Sequence, residues 1–327
     1  MTPLPSRAAI ESAAALVTPV VPPTPQFSWP LLNAAAGCEL WVKHENHTPL
    51  GAFKVRGGLV YVDSLLRHEP ACRGVVCATR GNHGQSVAFA ARRAGLAAVV
   101  VVPRGNSREK NAAMRGLGAE LIEHGDDFQA ALDHARALAA ERGLHPMPSY
   151  HPELVRGVAV SALDFLRQAP PLDAVYVPIG LGSGICAMLA ARDALGLKTR
   201  IVGVCSAHAP AIARSFAAGR SVSHPSTTHL ADGLACSTPH PEALAHIRAG
   251  VDHLVEVTDA EVAEAMRTCF TATHNTAEGG AAAALTAVLQ ERAAVAGRRV
   301  GVVLTGGNVD ADVFAHVLSG GFGSPQG

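Results

Sequence analysis

The stretch GVVCATRGNHGQSVAFAARRAGLAAVVVV, residues 74–102, reads as one complete structural unit. Its ends, GVVCAT (74–79) and AAVVVV (97–102), are short β-branched runs without polar alternation, the pattern of strands covered on both faces. Between them a glycine turn, TRGNHGQS (79–86), opens an Ala-rich helical segment. Strand, turn, helix and strand in that order make a βαβ unit. The unit selects an α/β fold with a mostly parallel sheet.

The same order extends in both directions. ELWVKH (39–44), AELIEH (119–124), AVYVPI (174–179), RIVGVC (200–205), HLVEV (253–257) and RVGVVLT (299–305) are further strand-like runs, separated by Ala/Leu helices. A helix is expected near residues 6–17. The prolines of TPVVPPTPQFSWP (18–30) then forbid a continuous helix and predict an extended crossing segment. At roughly 100–200 residues per domain, 327 residues imply two domains.

Composition removes several function classes. The chain is 48% hydrophobic and 17% charged, with 27 Lys+Arg against 27 Asp+Glu. A disordered chain needs less apolar content and more net charge, and a phosphate-backbone binder needs a basic excess, so nucleic acid is excluded as a partner. No apolar run reaches the ~18 residues of a membrane span, and the N-terminal stretch lacks a signal-peptide pattern. No membrane partner is expected. The seven cysteines are scattered, odd in number and without a CxxC pair, which predicts free thiols in a cytoplasmic protein.

Three glycine-containing turns follow predicted strands or open helices: GAFKVRGG (51–58), TRGNHGQS (79–86) and GLGSG (180–184). Each leaves backbone N–H groups at a helix N-terminus, where an anion is stabilised. Taken singly, each is equally a tight βα turn. GLGSG is not the GxGxxG of dinucleotide folds, and no Walker motif is present.

In order and spacing the turns resemble those of the fold-type II pyridoxal-phosphate enzymes, and within them the threonine/serine dehydratase and serine racemase family. TPLGAFKVRGG resembles the family's lysine motif, ATRGNHGQSVAFAA (78–91) its asparagine loop, VPIGLGSG (177–184) its phosphate loop and LTGGNVD (304–310) its closing turn. AEGGAAAAL (277–285) and ADGLA (231–235) also recur, and the likeness covers about residues 20–318. It implies a tryptophan-synthase-β-like fold with two domains, each built on a mostly parallel sheet. Residues 1–45 and 149–319 would form the larger, 46–148 the smaller mobile one with the asparagine loop, and 320–327 a tail.

The resemblance also implies roles. Lys54 would carry pyridoxal 5′-phosphate as a Schiff base and then act as base at the substrate α-carbon, whereas standing alone it reads as a solvated helix-start lysine. Phe53 would support the cofactor or pack as core. Gly180, Leu181, Gly182, Ser183 and Gly184 would hold the phosphate. Asn82 would meet the cofactor's 3-hydroxyl, or cap the helix from His83. Thr305 would face the pyridine nitrogen with a neutral hydroxyl, which favours β-elimination over transamination. Glu278 would lie nearby, or cap the helix beginning at Gly279. The substrate carboxylate would sit on Thr79, Arg80, Gly81, Asn82 and His83.

The implied reaction is dehydration of a β-hydroxy amino acid such as threonine, serine or phenylserine to a 2-oxo acid and ammonia. A β-replacement enzyme of the cysteine-synthase type, or a cofactor-binding relative without turnover, are the alternatives. The implied assembly is a homodimer.

Departures place the chain in a divergent branch. Arg80 stands where relatives carry a small residue, as a carboxylate clamp or turned to solvent, and the missing serine argues against racemisation. Ser206 and Ile212 replace two carboxylates of the family's cation site, so no metal is expected there. LVRGVAVSAL (154–163) keeps Gly157 but lacks the polar turn of threonine dehydratases.

Overall fold

The computed structural model describes residues 2–322; residues 323–327 of the expected tail lie outside the described residues. The elements in chain order are α1 (Arg7–Val17), β1 (Gln26–Ser28), α2 (Pro30–Ala36), β2 (Glu39–His44), α3 (Lys54–His68), β3 (Gly74–Ala78), α4 (Asn82–Arg93) and β4 (Ala97–Val102). Next come α5 (Arg108–Gly116), β5 (Glu120–Glu123), α6 (Phe128–Arg142), β6 (His145–Pro146), α7 (Pro152–Gln168), β7 (Ala174–Pro178), α8 (Ser183–Ala194), β8 (Arg200–Ser206) and α9 (Ala211–Ala218). The chain closes with α10 (Pro241–Gly250), β9 (His253–Val257), α11 (Asp259–Thr273), α12 (Gly279–Gln290), β10 (Arg299–Leu304) and α13 (Ala311–Leu318).

Two sheets result. The larger has the order β1-β2-β10-β7-β8-β9 and the smaller β5-β4-β3-β6. Every pairing is parallel except β1 with β2. The α/β expectation holds, and each predicted strand run contains a strand. Two strands were not read from sequence: β1, inside the proline-rich segment, and the two-residue β6. Both are too short to show a period.

Burial follows the strand patterns. β3 and β7 are buried at every residue, as continuous apolar runs require. β5 departs from that expectation: Glu120 and Glu123 are exposed at an edge, where charge blocks further strand pairing. Helix boundaries come from ordinary capping. The Asp127 carboxylate accepts from the Ala130 amide at the start of α6, and a reciprocal Thr258–Glu261 capping box opens α11.

The helix that begins with Lys54 crosses α7 at very close range. A Cβ built on Gly157 of α7 would stand 2.7 Å from Gly57 Cα and 2.8 Å from the Arg56 carbonyl carbon, and nearer still to the Arg56 oxygen. These neighbours are backbone and cannot rotate away. Gly157→Ala is expected to cost about 1–3 kcal/mol by forcing the helices apart. Urea unfolding checks this, and a variant as stable as the parent would refute the close crossing.

Beneath α3 lies a buried polar cluster. The Arg56 guanidinium donates to Glu45 from Nε (2.7 Å) and Nη2 (3.0 Å), and to the carbonyls of Val21 (3.0 Å) and Pro22 (3.2 Å). The Thr24 hydroxyl donates to the same carboxylate at 2.6 Å. Burial alone would raise the Glu45 pKa, but the Arg56 guanidinium beside it holds the carboxyl below its ordinary range. The proline-rich crossing segment is thereby tied to the first turn of α3.

Candidate active site

The parallel strands deliver their C-terminal ends to one cleft, the usual ligand position in open α/β sheets. The loops after β3, β7 and β10, and the segment before α3, meet there. A short antiparallel ladder joins two of them: the Phe53 amide donates to the Thr305 carbonyl (3.0 Å) and the Gly307 amide to the Gly51 carbonyl (2.9 Å). Lys54 and Thr305 are therefore held by one piece of backbone.

Lys54 opens α3 and is half-buried, with no hydrogen-bond or ion-pair partner for its ammonium among the described residues. Its Nζ lies 4.7 Å from the centroid of the Phe53 ring. Desolvation brings its pKa down to about 8, against the opposing pull of the Glu278 carboxylate. The reading of a solvated helix-start lysine does not describe this environment. Phe53 also approaches the phosphate-loop region, since a Cβ on Gly184 would be 3.7 Å from its ring.

At the end of β3 the Thr79 hydroxyl oxygen accepts from the amides of Gly81 (3.0 Å) and Gly84 (3.3 Å). This side chain, rather than Asn82, caps α4. Asn82 is the first helical residue, and its Nδ2 donates to Glu278 Oε1 at 2.6 Å. His83 is buried, with Nε2 lacking a partner, and burial together with Lys54 lowers its pKa to about 3. It is a neutral imidazole at physiological pH. Arg80 is exposed, without an ion-pair partner among the described residues.

After β7, Gly180 packs on the Gly233 carbonyl where a side chain would clash, and Gly182 caps α8 with φ of 104°, a conformation that L side chains rarely adopt. Leu181 packs against the main core, Ser183 is buried, and α8 opens without a side-chain cap. Its first amides are left for another acceptor.

Glu278 occupies the cap position of α12, yet its side chain makes no capping bond and turns into the cleft. Oε2 is buried without a hydrogen bond, and burial raises the pKa of the group. Thr305 follows β10, half-buried. The replaced cation positions lie elsewhere: Ile212 is in the core, and Ser206 accepts from the His208 amide at 3.1 Å. No cluster of three His, Cys, Asp or Glu side chains suited to a metal occurs among the described residues.

Three contributors were not assigned from sequence. Lys110 of α5 is buried against Gly81, 2.7 Å from Asp232 and 3.4 Å from Glu278. No motif in its surroundings, NSREKNAAM, marks it as part of a site. Asp232 and Asn308 lay inside recognised motifs, ADGLA and LTGGNVD, without a role of their own. Asn308 donates to Asn82 Oδ1 at 2.9 Å. Only the fold shows that these three converge.

Known proteins resemble this chain over most of its length. Phenylserine dehydratase of Ralstonia pickettii is 35% identical over 323 residues, 97% of each chain. L-threonine ammonia-lyase of Thermotoga maritima is 31% identical over 294 residues, covering 89% of this chain and 72% of that protein. Among solved structures, the threonine deaminase of T.th. superposes with TM-score 0.87 at 30% identity, over 94% of this chain and 99% of that one. Maize serine racemase gives 0.89 at 28%, over 96% and 97%. A family model described as pyridoxal-phosphate dependent enzyme matches residues 17–306, from the end of α1 to the turn after β10, and the chain belongs to that family, with pyridoxal phosphate as its cofactor.

Proposed function

We propose that this protein is an ammonia-lyase that eliminates water from a β-hydroxy amino acid, releasing a 2-oxo acid and ammonia. The observation that carries the reading is the meeting of Lys54, Thr305, the α4 N-terminus and the α8 N-terminus in one cleft, in a chain whose relatives include ammonia-lyases and dehydratases.

The residues present fit the cofactor. Lys54 has an unpartnered, desolvated amine, and the uncapped α8 N-terminus suits a phosphate. His83 Nε2 is a buried polar atom without a partner, which a fold retains at a cost unless something else pairs with it. When bound, the cofactor supplies an electron sink for charge that develops at the substrate α-carbon.

The chain's own residues do the remainder. The Lys54 amine, with its proton affinity lowered, takes the α-proton near neutral pH. The opening amides of α4, beside neutral His83, receive the substrate carboxylate, and Gly180 to Gly184 the phosphate. Thr305 would hold the ring-nitrogen side of the cofactor with a neutral hydroxyl, an environment that would favour elimination over transamination.

The free thiols of all seven cysteines support a cytoplasmic location. A homodimer is the assembly we assign, with residues 46–148 as the body that closes on 1–45 and 149–319.

A substrate panel tests the activity. Threonine, serine, phenylserine and 3-hydroxyaspartate are incubated with the holoenzyme, and 2-oxo acid and ammonia are measured. Equal yields of both from at least one of them are expected. No oxo acid from any, or turnover only with an added thiol nucleophile, would overturn the assignment in favour of the non-catalytic or β-replacement reading.

A further inference from the structure

Asn308 lies in the turn after β10 and touches both halves of the cleft. Its Nδ2 donates to the Leu50 carbonyl (2.8 Å), just ahead of the lysine helix, and to Asn82 Oδ1 (2.9 Å) in the asparagine loop. A backbone carbonyl only accepts, so the first bond fixes which end of the Asn308 amide faces Leu50. The second hydrogen on the same nitrogen then requires oxygen on Asn82. The Asn82 amide must turn its own nitrogen the other way, where it meets Glu278 Oε1 at 2.6 Å. One main-chain carbonyl thus sets the polarity of two amide side chains in succession, ending on the Glu278 carboxylate.

The consequence concerns what Asn82 offers. One of its amide hydrogens is taken by Glu278 and its oxygen is engaged by Asn308. One N–H is left over. The side chain is arranged to meet an oxygen acceptor in the cleft and not a donor. Were the amide reversed, its oxygen would face the Glu278 carboxylate and its remaining lone pair the cleft.

We propose that Asn308 is a positioning residue for the cofactor: it holds Asn82 with the donor outward and ties that orientation to the loop that carries Lys54. The inference rests on the placement of Asn82 beside the cofactor. Asn308 itself reaches Asn82 and Leu50, so its effect passes through them.

Isosteric substitution separates polarity from packing. Asn308→Asp keeps the shape but puts acceptors against the Leu50 carbonyl and Asn82 Oδ1, which reverses the Asn82 amide. Asn308→Ala removes both bonds and imposes no orientation. Pyridoxal phosphate is titrated into each apo-protein, following its absorption and circular dichroism, with thermal unfolding of the apo forms as the folding control. Asn308→Asp is expected to weaken cofactor binding roughly 10–100-fold, the range found for outer partners of bound groups, and Asn308→Ala by less. If the aspartate variant binds no worse than the alanine variant, the orienting role is refuted. Asn82→Ala distinguishes the two levels: unchanged cofactor binding there would remove the placement of Asn82 itself. Should Asn308→Asp fail to fold, the double variant Asn82→Ala/Asn308→Ala decides. Loss no greater than in Asn82→Ala alone supports the proposal, and additive losses overturn it.

Discussion

Lys54→Ala is expected to abolish the visible absorption of the lysine-bound cofactor and to lower kcat/KM by at least ~10³-fold, within the range for loss of a positioned base. The ammonium has no partner among the described residues, so its removal leaves no orphaned carboxylate at hydrogen-bond distance and the fold should survive. The same residue sets a pH dependence. Burial favours the neutral amine and moves the pKa to about 8, against ~10.4 for an ordinary lysine. Capture of the cofactor's aldehyde by the apo-protein needs that neutral form. The rate should rise about tenfold per pH unit below 8 and level off above it. An unchanged spectrum and activity in Lys54→Ala, or a capture rate still climbing through pH 10, would remove the lysine from its assigned role.

Arg56→Met is expected to cost about 3–5 kcal/mol of stability, because it leaves the Glu45 carboxylate buried without its counter-charge, beside neutral hydroxyls alone. Replacing both partners by methionine removes the stranded charge and should recover most of that loss. The effect is not confined to stability. Arg56 lies two residues beyond Lys54 on the same helix turn and fastens it to the carbonyls of Val21 and Pro22. Cofactor affinity should therefore fall in the single variant and return partly in the double one. Urea unfolding and cofactor titration read the two effects separately, and a single variant within about 1 kcal/mol of the parent would show that the pair is not holding the helix.

Much of this molecule was legible before folding. Continuous runs such as GVVCAT and AVYVPI announced buried parallel strands because their burial on both faces removes the polar alternation. The glycine turns announced the helix N-termini for an equally local reason. What escaped was whatever depends on distant partners. Lys110 looks like any solvated lysine until Asp232 and Glu278 are brought to it from over a hundred residues away. Glu278 sits at a helix start, so local logic offered a cap, and only the position of Asn82 shows why the carboxylate turns away. Arg56 belonged to the lysine motif, yet nothing in the motif foretold Glu45 as its buried counter-charge.

The backbone ladder between residues 51–53 and 305–307 has a consequence for how such a site can diverge. Drift in the large sheet carries Lys54 and Thr305 together, so the spacing between these two residues is insulated from it. Asn82 and His83 hang instead from the smaller sheet, through β3 and α4. The two groups are joined where the Ser86 hydroxyl of α4 donates to the Lys54 carbonyl at 2.7 Å. Residues around the cleft can therefore change in a lineage while the ladder keeps the spacing of Lys54 and Thr305.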